Sequence, residues 1–273
     1  MEGDVSAILA FFLTDLCANH RSLLDIILLV CSFPMYRHPA DESPSLLPFS
    51  PTVALIREHV QRVLAHPVNH VLIQHYRSGK DYISEHSDKT IDVVRGSYIV
   101  NVSLGAQRVM TLRSKRDARA ARGAVDDATV QDISRSDADT DVGLAPTPRT
   151  VQRIPLPHNS MFVMGPETNK RWLHGINHDN RPVKTKTDAE RYEGGERISL
   201  TFRHIGTFLT KGEEKIYGQG ATAKTREEAR PVVRGTEEGE RLIAAFGKEN
   251  QESEFDWDGV YGKGFDVLHF SVH

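Results

Sequence analysis

The chain of 273 residues is 39% hydrophobic and 26% charged, enough for one large domain with a sizeable core, or a domain plus a small appendage. A net charge of −3 and a pI near 6.5 give no global sign of a nucleic-acid binder, and the apolar content excludes a wholly disordered chain. The two cysteines, Cys17 and Cys31, stand near the N-terminus, so no disulfide framework is expected for the body, and the setting is expected to be reducing and intracellular, nucleus or cytoplasm.

The most apolar stretch, residues 7–31, is interrupted by Asp15, His20, Arg21 and Asp25. It holds no uncharged run of about 18 residues, so no membrane span is expected. Glu2 and Asp4 precede it where a secretory signal would be basic. Two short buried helices, 5–16 and 22–29, are expected, with Ser22 as a cap and Asp25 in the first turn of the second. Residues 1–31 are then an N-terminal helical segment, either packed on the main domain or a separate interaction module. Residues 32–51 hold five prolines and read as an irregular, lid-like cover. Val53, Ile56, Val60 and Leu64 recur on one face, which predicts a helix over 52–64. From His70 the period changes. Residues 71–76 alternate, Arg77-Ser78-Gly79-Lys80-Asp81 turns, and 97–112 is a strong strand signal broken at Gly105-Ala106. Further strands are expected over 161–164 and 198–202. The stretch 116–122 is basic and 126–141 is acidic and poor in apolar residues, so 116–150 is expected to be a disordered insertion between two strands. A second polar insertion lies between Asn177 and Glu196. Residues 211–273 form a C-terminal extension with charged, helix-like segments at 225–230 and 236–246. The expected fold is mainly β with flanking helices (α+β), an antiparallel barrel or double-sheet jelly roll over 52–210.

Glu85-His86-Ser87-Asp88 follows a strand and a turn. His and Asp two apart on an extended segment point the same way, so imidazole and carboxylate can bind one cation together. A third ligand must come from elsewhere, and His174 in Trp172-Leu173-His174-Gly175 is the best candidate. Two His and one carboxylate on one octahedral face leave three positions open, which suits Fe(II) that must bind a cosubstrate and O₂. Zinc would more often be tetrahedral, and no thiolates are at hand. Taken singly, His86-x-Asp88 also reads as a surface pair and His174 as a satisfied core histidine. In Arg197-Ile198-Ser199-Leu200-Thr201-Phe202-Arg203, the two arginines share one strand face with Ser199 and Thr201. Buried among apolar neighbours, each needs an anion. A dicarboxylate cosubstrate would satisfy both through bidentate forks; so would an edge strand laced with salt bridges.

Together these motifs resemble the AlkB family of Fe(II)- and 2-oxoglutarate-dependent dioxygenases. Ile73-Gln74-His75-Tyr76-Arg77-Ser78-Gly79 and Val102-Ser103-Leu104-Gly105 are similar to segments flanking the family's iron motif. Leu112-Arg113-Ser114-Lys115 resembles its eukaryotic nucleic-acid-repair branch. The resemblance spans 52–206 and implies a double-stranded β-helix. It implies that His86, Asp88 and His174 hold iron, and that Arg197, helped by Tyr76, pairs with the distal carboxylate of 2-oxoglutarate. Arg203 would lie near the carboxylate at the keto end, with Ile99 and Asn101 lining the pocket. Gln74 and Ser199 stand where the family often has Asn, and both remain polar. The implied chemistry is oxidative decarboxylation of 2-oxoglutarate to succinate and CO₂ with hydroxylation of a substrate C–H, ascorbate serving as reductant. On an N-methyl group this releases formaldehyde. The implied substrate is methylated single-stranded nucleic acid, DNA or RNA, with a small molecule or a protein as the alternative, and a monomer is expected. One departure bears on substrate: two residues after the metal Asp the repair enzymes carry an acid that attracts a cationic base, whereas this chain has Thr90. Tyr36 and Phe33 either stack a base or anchor the core. The basic run of Arg108, Arg113, Lys115, Arg116, Arg119 and Arg122 either tracks phosphates or is a solvated loop.

Overall fold

The computed structural model describes residues 6–12, 32–39, 42–43, 45–116, 149–212, 214–234, 236–268 and 271–272. Strands β1 (Ser6–Phe12), β2 (Ser32–Pro34), β3 (Glu42–Ser43) and β4 (Leu46–Pro48) precede helix α1 (Pro51–Leu64). Then come β5 (His70–Tyr76), β6 (Ile83–His86), β7 (Ile99–Gly105), β8 (Arg108–Ser114), β9 (Val151–Leu156) and β10 (Ser160–Met164). Helix α2 (Pro166–Arg171) leads into β11 (Trp172–Ile176), and α3 (Asp188–Arg191) precedes β12 (Arg197–Arg203). The C-terminal part holds β13 (Thr207–Thr210), β14 (Lys215–Gly218), β15 (Arg230–Pro231), α4 (Thr236–Gln251) and α5 (Trp257–Tyr261). No helix among the described residues is long and apolar enough to cross a membrane.

Two sheets make the body. One has six strands in the order β10-β7-β12-β5-β1-β4, the other four in the order β6-β11-β8-β9. From β5 to β12 the chain passes back and forth between them, with β8 and β9 the one successive pair in a single sheet: β5, β7, β10 and β12 belong to the larger sheet, β6, β8, β9 and β11 to the smaller. Pairing within both is antiparallel, except that β1 and β4 run parallel. Gly105 marks one passage from sheet to sheet. Its φ is +91°, and a Cβ there would meet the Glu196 carbonyl at 2.3 Å, so only glycine fits.

The alternation along β12 sorts its side chains. Leu200 and Phe202 pack with Val71, Val100 and the α1 residues Val53 and Val60. Fully burying such a side chain contributes about 1.5–3 kcal/mol. Arg197, Ser199 and Arg203 therefore face the other way, between the sheets, and all three are buried. Helix α1 begins where the Ser50 hydroxyl accepts from the Val53 N–H with Pro51 in its first turn, and ends at Ala65 in the left-handed region.

The structure departs from the sequence expectations at three places. Ser6–Phe12, expected as helix, is a strand antiparallel to β5. The expected helix at 22–29 lies outside the described residues, as does most of the 116–150 insertion (117–148). β8 and β9, which flank that insertion, pair directly. Residues 225–229 make bends and a turn rather than a helix, and Arg230 opens β15, the helical region being disfavoured for a residue before proline. The proline-rich segment is built into the body: β2 pairs with β13, and Met35, Tyr36 and Arg37 are buried.

Candidate metal and cosubstrate site

His86 ends β6 and faces His174 on β11 across a paired position, with ring centroids 4.4 Å apart. Gly175 permits this approach, since a Cβ there would meet the Ile83 carbonyl at 2.9 Å. Asp88 follows two residues after His86. Its Oδ1 lies 3.9 Å from Nε2 of His86 and 3.9 Å from Nε2 of His174. The three ligand atoms all lie within 4.8 Å of one another, a set that could hold one metal ion.

Hydrogen bonds and burial put these groups in ligating states. His86 Nδ1 is 2.7 Å from the Ser84 carbonyl, which only accepts, so Nδ1 carries the hydrogen and the Nε2 lone pair faces the site. Burial lowers the pKa of His86 and takes that of His174, which also feels His86, down to about 3. For Asp88, burial alone would raise the pKa, but Arg203, His174 and His86 outweigh it and hold the carboxyl at about 2. At neutral pH the trio is two neutral imidazoles and a carboxylate, the forms that bind metal. The two carboxylate oxygens divide their work. Oδ2 accepts from Arg203 Nε at 3.0 Å and pairs with Arg203 Nη2 at 2.8 Å, while Oδ1 faces the histidines.

A cavity of about 50 Å³ adjoins this trio between the two sheets. Gln74, Tyr76, Ile99, Asn101, Ser199 and Arg203 line it together with His86, Asp88 and His174. Arg197 lies just beneath, fully buried. Its Nη2 donates to Asn101 Oδ1 at 2.9 Å and Ser103 Oγ at 2.8 Å, and its guanidinium sits 5.0 Å from the centre of the Tyr76 ring. Burial lowers Arg197 to about 10, so it stays cationic at neutral pH. Arg197 Nε and Nη1 and Arg203 Nη1 are buried with no hydrogen-bonded acceptor among the described residues. Unfilled guanidinium donors deep in a cavity are costly, and a small dicarboxylate supplies what they lack. The donor sets thus fit both an octahedral divalent metal and 2-oxoglutarate.

Nine of the ten site residues expected from sequence line this cavity, and the tenth, Arg197, is bonded to Asn101 on its wall. Three that sequence reasoning did not find, Asn169, Glu249 and Asn250, hold residues 87–90 together with Tyr36, which the sequence offered only as a base stacker or core anchor. Glu249 is notable, because Thr90 carries no charge yet its hydroxyl donates to Glu249 Oε1 at 2.5 Å. No local pattern links positions 90 and 249. Tyr36 is a core anchor, packed with Val93, Ile99, Met164 and Ile205 and lying 4.1 Å under the Arg203 guanidinium. The basic run is largely committed inward. Arg108 donates to the carbonyls of Ser78, Asp81 and Asn177, Arg113 pairs with Glu85, and Lys115 donates to the Glu249 carbonyl. Arg119 and Arg122 lie outside the described residues.

The family model of the 2OG-Fe(II) oxygenase superfamily matches residues 29–203, more than half of the chain, and the chain belongs to that superfamily, whose cofactor and cosubstrate are Fe(II) and 2-oxoglutarate. The curated proteins it is similar to include several named as AlkB homologues. It is 34% identical over 165 residues to the human DNA oxidative demethylase ALKBH2, covering 60% of this chain and 49% of that protein. It is 27% identical over 139 residues to the Arabidopsis thaliana protein of the same name, covering 50% and 38%. It is 23% identical over 155 residues to the Bos taurus alpha-ketoglutarate-dependent dioxygenase alkB homolog 3, covering 57% and 43%. The chain spans about half the length of the curated relatives it matches.

Proposed function

We propose that this chain is an Fe(II)- and 2-oxoglutarate-dependent dioxygenase that removes methyl groups oxidatively from alkylated nucleic acid, DNA foremost, inside the cell. The observation that carries the reading is one cavity lined by His86, Asp88, His174 and Arg203, with Arg197 bonded to Asn101 on its wall and both arginines keeping buried donors that find no acceptor among the described residues. The alternation of strands between two sheets supports a double-stranded β-helix as the scaffold.

His86, Asp88 and His174 hold the iron, which with 2-oxoglutarate and O₂ supplies oxidation of a substrate C–H. Arg197 binds the distal carboxylate of 2-oxoglutarate, with the Tyr76 hydroxyl beside it. Arg203 is fixed by Asp88 Oδ2 and offers Nη1 to the carboxylate at the keto end. Asn101 holds Arg197 in position and is itself tied to Ser199 and Thr201. Ile99, Met110, Phe162 and Met164 keep the cavity walls apolar, which excludes water and strengthens each ionic contact.

The substrate class rests on the relatives described above, two of which are DNA oxidative demethylases. The inward commitment of Arg108, Arg113 and Lys115 favours a second reading, the same chemistry on a small molecule or a protein. Mass spectrometry of methylated single-stranded oligonucleotides after incubation with iron, 2-oxoglutarate and ascorbate separates the two. Loss of the methyl group is the expected result. Unchanged oligonucleotides, with 2-oxoglutarate still consumed, would decide for the second reading.

A further inference from the structure

Residues 87–90 carry Asp88 yet belong to no sheet, so no strand ladder fixes them. Their backbone N–H groups donate instead to side chains from distant elements. Ser87 donates to Asn250 Oδ1 at 2.8 Å, Asp88 to Asn169 Oδ1 at 2.9 Å, Lys89 to the Tyr36 hydroxyl at 3.2 Å, and Thr90 to Glu249 Oε1 at 3.0 Å. Two of these acceptors are neighbours near the C-terminal end of α4. Asn250 Oδ1 also accepts from Ser87 Oγ at 3.1 Å and from Lys89 Nζ at 2.8 Å. Glu249 Oε2 accepts from the Tyr261 hydroxyl at 2.9 Å.

Helix α4 lies beyond residue 203, where the family match ends. It is docked firmly enough to act as a support: Leu242, Ala245 and Phe246 share a buried cluster with Ile91, Tyr261, Phe265 and Val267. Ile91 sits three positions after Asp88, so the same helix grips the segment through both apolar and polar contacts. A metal site needs its ligands held by the groups behind them, and a ligand on a segment without a ladder depends on those groups entirely.

We propose that α4 is a positioning element of the metal centre, with Asn250 as its main contact: by taking the Ser87 N–H, the Ser87 hydroxyl and the Lys89 ammonium on one oxygen, it sets the span between His86 and Asp88. Glu249 does the same for the segment's far end at Thr90. The C-terminal extension is thereby part of the site and not an appendage. This rests on the reading of His86, Asp88 and His174 as ligands.

The test is titration of the metal-free full chain with Mn(II), followed by the electron paramagnetic resonance signal of the unbound ion, with thermal unfolding recorded alongside. Asn250→Leu removes the acceptor and should weaken Mn(II) binding by about tenfold or more while the chain remains folded. Asn250→Asp keeps the acceptor and should bind close to wild type. Asn250→Ser serves the same purpose if the leucine variant does not accumulate as folded protein. A purely structural contact would lower the unfolding temperature and leave Mn(II) affinity unchanged in the folded protein; that result would overturn the proposal, as would equal losses in Asn250→Leu and Asn250→Asp. His174→Ala separates the two levels. If it loses Mn(II) while Asn250→Leu does not, only the positioning role of α4 falls. If it binds as wild type, the ligand reading falls and takes the proposal with it.

Discussion

Arg197 and Arg203 stand on one face of β12 six positions apart, and each is held on one side only. Arg197 rests on Asn101 and Ser103, Arg203 on Asp88, and each keeps a buried donor with no acceptor among the described residues. That pattern was legible in the sequence because strand period places the pair on one face, whatever the tertiary contacts. Arg197→Lys keeps the charge but loses the fork, so affinity for 2-oxoglutarate should fall about tenfold or more, read by the concentration dependence of succinate formation. The ligand motif was legible for the same local reason. Glu249 was not, because only packing brings it to Thr90. Both oxygens of that buried carboxylate already accept hydrogen bonds, from Thr90 and from Tyr261, and the Lys89 and Lys115 ammoniums offset its charge, so no unpaired anion faces a substrate here. Competition between oligonucleotides carrying cationic lesions (1-methyladenine, 3-methylcytosine) and neutral ones (N6-methyladenine, 3-methylthymine) should therefore show less than about tenfold preference for the cationic set, or about 1.4 kcal/mol. A stronger preference would mean that another acid reads the lesion.

Strands β5, β7, β8, β10 and β12 follow the expected boundaries closely, because short β-branched runs between turns carry a clear signal. Ser6–Phe12 misled for the opposite reason. A short apolar run without alternation suits a buried helix and a buried strand equally, and the free edge of β5 decides the matter. Helix α4 runs to Gln251, beyond the expected end at Phe246, and the added turn carries Glu249 and Asn250. Its polarity hides its role, since charged residues at the end of an amphipathic helix read as solvated. The 116–150 segment bears on the β8–β9 pair. Those strands are hydrogen-bonded neighbours from Arg113↔Val151 to Arg108↔Leu156, so their connection needs only to span a sheet edge. Deleting residues 118–146 should leave the chain folded, with a cooperative unfolding transition within a few degrees of wild type, since closing a shorter loop costs little and even favours the folded state slightly. Loss of soluble protein would show that the segment packs on the body.

At the scale of the molecule, one buried ion pair joins three parts of the chain. Arg37, in the proline-rich segment, pairs with Asp92 just past the ligand segment at 2.7 Å, and both side chains are fully buried. The same guanidinium donates to the carbonyls of Gly220 and Phe265 in the C-terminal extension. Gly220 must be glycine here, since a Cβ would come within 2.6 Å of the Arg37 Nη2 and 2.5 Å of Asp92 Oδ1. Removing one partner leaves the other charge buried alone, so Arg37→Ala and Asp92→Ala should each cost about 3–5 kcal/mol in urea unfolding. A loss under about 1 kcal/mol, the range of an exposed pair, would contradict that. The joint explains why the segments on either side of the catalytic body, read from sequence as a lid and an extension, are parts of it: their contacts are long-range and leave no local signature. The most direct test of the whole account is the release of labelled CO₂ from 2-oxoglutarate carrying the label in the carboxylate beside its keto group, with Fe(II) and O₂ supplied. The wild-type chain should release CO₂ in step with succinate, and His174→Ala, still folded, should release none. Equal release by the two proteins would contradict the account.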